Sequence, residues 1–181
     1  MPNILKRAVG RWVLACLVVT VTAGVLAGPR AVRADEPALL MLRGGFAGDI
    51  VADRDSGGIF AFEYHSGPEW EFYHLRPTIG LQATTNGSFY VWGGGKIDLF
   101  FGKRFVLTPT TGVGFYSDGD GQDLDSVLIF RNGIDFAYRL DSRARVGLGF
   151  HYKSNYGLGG DDPGIAALTV FYTHPLGTLL P

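Results

Sequence analysis

The sequence predicts an all-β protein, an eight-stranded antiparallel up-and-down barrel that crosses a membrane, and three observations carry that reading. Glycine, aromatic and β-branched residues recur in runs divided by turn-like clusters such as TTNG, SDGDGQD and LDSR. Inside the runs, apolar residues alternate with charged or small ones at the period of a strand. Ahead of the first run, residues 1–34 have the organisation of an export signal.

In that signal, Lys6, Arg7 and Arg11 form a basic start, Trp12 to Gly28 is apolar, and Val32-Arg33-Ala34 supplies small residues at −3 and −1 of a cleavage site. Cleavage near Ala34 leaves residues 35–181 as one domain. It removes five basic residues and no acidic one, so 11 basic face 17 acidic residues, a net charge of −6 that argues against a nucleic-acid partner. The one cysteine, Cys16, leaves with the signal, and with it any disulfide, thiol nucleophile or cysteine-based metal site.

Eight runs can be counted, near 37–46, 57–66, 69–83, 87–101, 104–117, 124–140, 144–156 and 165–174, without a further repeat or a linker between domains. From Ser126 to Leu140 the even positions are Leu128, Phe130, Ile134, Phe136, Tyr138 and Leu140, interrupted by Asn132. The odd positions include Arg131, Gly133, Asp135 and Arg139. The fourth run sets Phe89, Val91, Ile97, Leu99 and Phe101 against Ser88, Tyr90, Lys96 and Asp98, and the third sets Tyr73, Leu75, Ile79 and Leu81 against His74, Arg76 and Gln82. In the seventh, Val146, Leu148, Phe150 and Tyr152 oppose Gly147, Gly149, His151 and Lys153.

A soluble barrel would bury the greasy face, whereas a membrane barrel turns it to lipid. Runs that end in aromatics, as interfacial girdles require, and an even strand number favour the membrane version. Eight strands enclose a lumen that side chains fill, so the charged inward residues must pair with one another, giving a plugged interior and not a pore. Inward glycines at 133, 147 and 149 suit such a narrow interior, and Trp70 and Trp92 are expected to fill it. His65, His74 and His174 show no ligand spacing, and GGG at 93–95 has no following helix, so neither a metal site nor a phosphate loop is expected.

Chemistry concentrates in FHYKSNYGLGGDDPGIAAL, residues 150–168. This stretch resembles the lipid A 3-O-deacylase (PagL) family of eight-stranded outer-membrane barrels, whose pattern is His-x-Ser-Asn, a Gly-Leu step, an Asp-Pro-Gly-type turn and a glutamate twelve residues after the serine. Ser154-Asn155, Gly157-Leu158 and Asp162-Pro163-Gly164 match. Tyr152 stands where the family has histidine, with His151 one position further back, and Ala166 stands where it has glutamate.

The resemblance implies a serine hydrolase without metal or cofactor, acting on the 3-O-acyl chain of lipid A in the bacterial outer membrane. Ser154 would be nucleophile, His151 base and Asn155 an oxyanion donor. Lipid A, or the lipopolysaccharide that carries it, and other outer-membrane lipids are the implied partners, and whether a homodimer forms is left open. In a regular strand His151 points into the lumen, away from Ser154, and a one-residue bulge at Lys153 would turn it outward. Asp161 and Asp162 are candidate orienting groups for an outward His151. The alternatives are a non-catalytic surface barrel in which Ser154 is a turn residue, and a soluble periplasmic barrel holding a small lipid.

Overall fold

The computed structural model describes residues 36–49, 57–158 and 164–178; the export signal with Cys16, and Asp161, Asp162 and Pro163, lie outside these. Among the described residues nine strands form: β1 (Leu39–Asp49), β2 (Gly57–His65), β3 (Arg76–Thr84), β4 (Phe89–Lys96), β5 (Leu99–Phe101), β6 (Phe105–Ser117), β7 (Leu128–Arg139), β8 (Arg145–Ser154) and β9 (Ile165–Pro175). Every pairing is antiparallel, in the order β4-β3-β2-β1-β9-β8-β7-β6-β5, and a further pairing of β4 with β6 closes the sheet. β4 and β5 are two halves of one stave, so the barrel has the eight staves expected.

The break between those halves has a local cause. β4 reaches Lys96 opposite Thr110, and β5 resumes with Leu99 opposite Leu107. Pro109 lies across the gap and its carbonyl accepts the Ile97 N–H at 3.1 Å. On that edge Pro109 has no N–H to return, so the ladder is interrupted there.

The third predicted run begins too early. Pro68–Trp70 is a 3₁₀ turn, and Phe72 bridges Leu75 around Tyr73 and His74, whose φ angles of 48° and 68° are left-handed. Such angles take these residues out of strand geometry. β3 therefore starts at Arg76, and Trp70 is 67 % exposed beyond the barrel end instead of filling the lumen. Trp92 is buried inside as expected.

Burial alternates along every long strand, and its polarity is inverted relative to a soluble protein. Phe46 is 75 % exposed, and Phe60, Ile79, Phe115, Leu148 and Leu168 share that outer wall. Arg43, Glu63, Arg131, Asp135 and His151 are buried in the lumen. Closure pairs the backbone of every stave, and the apolar wall suits a hydrocarbon surrounding.

Most of the lumen charges are paired. Arg43 Nε donates to Glu63 Oε1 at 3.1 Å and its Nη1 to Asp135 Oδ1 at 2.8 Å, while Arg131 Nη2 reaches Glu63 Oε1 at 2.9 Å and stacks over Trp92. Toward the end that carries the described chain termini, Arg145 bridges Glu36 and Asp98 at 2.9 and 3.1 Å, and Lys96 joins Asp98. Toward the other end an apolar cluster of Tyr90, Trp92, Tyr116, Leu124 and Ile129 fills the interior. The inward glycines make room for this network: a Cβ at Gly149 would collide with Arg43 and Asp135, and one at Gly133 would stand 2.9 Å from the His151 ring.

Candidate active site on the outer wall

β8 runs from Arg145 to Ser154 without a bulge. Tyr152 pairs with Asn132 on β7 and with Ala166 on β9, Lys153 with Arg131 and Ile165, and Ser154 with Phe130. Because the register is unbroken, His151 and Lys153 face the lumen while Tyr152 and Ser154 have outer-wall parity. His151 Nε2 lies 3.1 Å from Asp135 Oδ1, and its Nδ1 lies 3.2 Å from Arg131. The ring belongs to the lumen network and does not share a face with Ser154. Lys153 is buried in the lumen as well, its ammonium over the Tyr90 and Tyr116 rings.

Ser154 is 1 % exposed despite its outward parity. Its Oγ accepts the Tyr156 N–H at 2.9 Å, closing a serine turn at the strand end. Tyr156, with a left-handed φ of 51°, folds back onto the wall: its ring packs on Phe130, and its hydroxyl accepts from Asn132 Nδ2. Thr111 Oγ1 in turn donates to Asn132 Oδ1 at 2.9 Å. Phe130 and Asn132 sit opposite Ser154 and Tyr152, so Tyr156 lies across the place a nucleophile would present.

Asn155 is fully buried. Its Nδ2 donates to the Leu124 carbonyl and its Oδ1 accepts from the Gly157 N–H, both at 2.7 Å. The side chain thus ties the 118–127 connection to the β8–β9 turn. Removing it leaves a buried carbonyl unpaired, and Asn155→Ala is expected to destabilise this end of the barrel by about 1–3 kcal/mol. Faster proteolytic nicking within 118–127 in detergent-folded protein, with the strands still protected, is the signature to measure.

The positions flanking Ser154 keep the frame of a triad without its groups. Tyr152 and Ala166 are direct cross-strand partners on one face, the placement that an acid–base pair beside Ser154 would need. Among the described residues, the outward positions of β7, β8 and β9 hold no carboxylate. Their one histidine, His174, pairs with the Tyr172 hydroxyl near the opposite end. The polar notch of Thr111, Asn132 and Tyr156 was not predicted, although Asn132 interrupting the greasy face of its run was its signal. Among the described residues no group of three or more His, Cys, Asp or Glu side chains is placed to hold a metal ion.

Comparison with solved structures finds "Crystal structure of the outer membrane enzyme PagL" at a TM-score of 0.60 and 20 % identity, covering 76 % of this chain and 99 % of that one. A barrel from "De novo design of transmembrane beta-barrels" matches at 0.54 and 9 % identity, covering 77 % and 96 %. Neisserial surface protein A (NspA) matches at 0.50 and 11 %, covering 76 % and 95 %. At these identities the likeness shows the fold, that of an outer-membrane β-barrel. No curated protein sequence matches the chain. The profile described as Lipid A 3-O-deacylase (PagL) matches residues 80–175, more than half of the chain and all of the Ser154 region, and the chain belongs to that family.

Proposed function

We propose that this protein, exported by the signal that ends near Ala34, meets lipid A in the outer membrane with the wall beside Ser154–Asn155 and does not carry out serine-triad deacylation. The observation that carries this reading is the unbroken register of β8, which binds His151 into the lumen and leaves Tyr152 and Ala166 beside Ser154. A tyrosine hydroxyl titrates near 10 and is a weak base at neutral pH, and alanine has no acceptor with which to orient one. The packing of Tyr156 on Phe130, the cross-strand partner of Ser154, and the engagement of the Asn155 amide in the loop point the same way.

A second reading is favoured by one feature, the retained Ser-Asn step with its Gly157-Leu158 turn. In it Ser154 attacks the ester carbonyl, His151 accepts its proton and Asn155 donates to the oxyanion. That route requires His151 to leave Asp135 and Arg131 and cross to the other face of β8.

Mass spectrometry of lipid A incubated in detergent with the folded barrel, and in parallel with Ser154→Ala, separates the two. An unchanged acyl pattern with both is expected. Release of a 3-hydroxyacyl chain by the parent and not by Ser154→Ala would overturn the proposal and establish the second reading.

A further inference from the structure

Six cationic side chains lie inside the barrel at 4 % exposure or less, Arg43, Arg76, Lys96, Arg131, Arg145 and Lys153, against four carboxylates, Glu36, Glu63, Asp98 and Asp135. All but Lys153 have a carboxylate at ion-pair distance. Lys153 is 2 % exposed and has neither a carboxylate nor a hydrogen-bond acceptor among the described residues. Its Nζ stands 5.3 and 5.1 Å from the Tyr90 and Tyr116 ring centres. Two ring faces offset only part of the cost of burying an ammonium.

Lys153 also lines a chamber of about 20 Å³ at the loop end of the lumen, with Ala47, Thr84, Ser88, Tyr116 and Gln122 around it. No carboxylate lines this space. Thr84 Oγ1 accepts the Ser88 N–H at 3.1 Å, and its own proton has no acceptor among the described residues. Gln122 buries its Oε1 without a partner, and rotation of that amide puts Nε2 there as another donor. The Tyr116 and Ser88 hydroxyls donate to the Gln122 and Asp118 carbonyls, at 2.9 and 2.6 Å, and fix the wall on that side.

We infer that this chamber binds one small monovalent anion of chloride size, held on the Lys153 ammonium. A water molecule would fit as well, since ~10–15 Å³ admits one. Water brings no charge, however, to an interior with more buried cations than carboxylates, and a buried charge left without a counter-charge is strongly destabilising. A polyatomic oxyanion is too large for the space. The ion has a route from outside: Asn86 and Gln122, both on the chamber wall, are half-buried, and they belong to the end whose longer connections face outward in such barrels. Because Lys153 directly precedes Ser154, an occupied site ties the end of β8 to the 85–88 hairpin and the 118–127 connection. This inference rests on the lumen and not on the reading of Ser154.

Chloride NMR of the detergent-folded protein, paired with urea unfolding at constant ionic strength as chloride replaces gluconate, tests it. Lys153→Met removes the ammonium, Ala47→Leu fills the chamber and keeps it, and Lys103→Met, on the exposed turn between β5 and β6, is the control. The chloride signal should broaden with the parent and the control, sharpen when bromide competes, and lose its excess width with Lys153→Met and Ala47→Leu. The urea midpoint of the parent should rise saturably with chloride, whereas that of Lys153→Met should not move. In gluconate Lys153→Met should be at least as stable as the parent, because the unneutralised charge is gone. Broadening and stabilisation that survive in whichever chamber variant folds would show adventitious salt binding and overturn the inference. Their absence from the parent would overturn it too, leaving on Lys153 either water or a carboxylate of the 159–163 segment. A midpoint lowered by Asp162→Asn and not restored by chloride would identify the carboxylate.

Discussion

Tyr152→His combined with Ala166→Glu and Tyr156→Ala is expected to turn this barrel into a working lipid A deacylase. The register supplies the reason. Position 152 lies two residues before Ser154 on the same face, and position 166 is its direct partner across β8 and β9. A histidine at the first and a carboxylate at the second would stand with Cβ atoms ~4.5–5.5 Å apart, next to the serine hydroxyl, as a base and the group that orients it. Alanine at 156 takes away the ring packed on Phe130, the cross-strand partner of Ser154, and frees Asn132 from the tyrosine hydroxyl.

General base catalysis contributes ~10²–10⁴-fold, so release of a 3-hydroxyacyl chain should rise by at least about 10²-fold over the parent. Charged groups near the membrane interface cost only ~0–1 kcal/mol each, so the barrel should still fold. Both Ser154→Ala in the triple variant and omission of Tyr152→His should return activity to the parent level. A triple variant that shows heat-modifiable migration but releases no acyl chain would refute the idea that the frame of the site survives.

The barrel was legible in the sequence because the information is local and of period two: from Leu128 to Leu140 the alternation, broken only at Asn132 on its apolar face, puts the charges of Arg131, Asp135 and Arg139 on one side. The opposite placements of His151 and Ser154 follow from the same parity. The errors arose where structure depends on a distant partner or on φ. Nothing within 87–101 shows that Pro109, on the next stave, interrupts the ladder at Ile97. The 69–75 segment has the apolar spacing of a strand, and only the left-handed Tyr73 and His74 remove it from the sheet.

The cover on Ser154 was hidden for a related reason. Tyr156 reads as an ordinary turn residue until its left-handed backbone places the ring on Phe130 of the neighbouring β7. Asn132 could have been found. A polar residue on a lipid-facing stripe is costly unless it has partners, and Asn132 finds them in Thr111 and Tyr156.

Glu63→Gln is expected to destabilise the barrel by about 3–5 kcal/mol, the range for breaking one partner of a buried ion pair. Glu63 is completely buried and receives Arg43, Arg131 and His65. Arg43 keeps Asp135 when Glu63 is neutralised, but Arg131 has no other carboxylate among its described ion pairs and would hold its charge in the lumen without a direct ionic partner, against Trp92 and His151. Urea unfolding in lipid vesicles should show the midpoint falling with little change in slope. Glu69→Gln, on the exposed Pro68–Trp70 turn, should stay within about 0.5 kcal/mol of the parent. The pairing account makes a sharper demand on the double variant Glu63→Gln/Arg131→Met, which removes the stranded charge and should recover part of the loss. If the double variant is as unstable as the sum of its parts, the lumen is held by packing alone. If it recovers, the lumen charge network that His151 joins also stiffens the wall on which Ser154 sits.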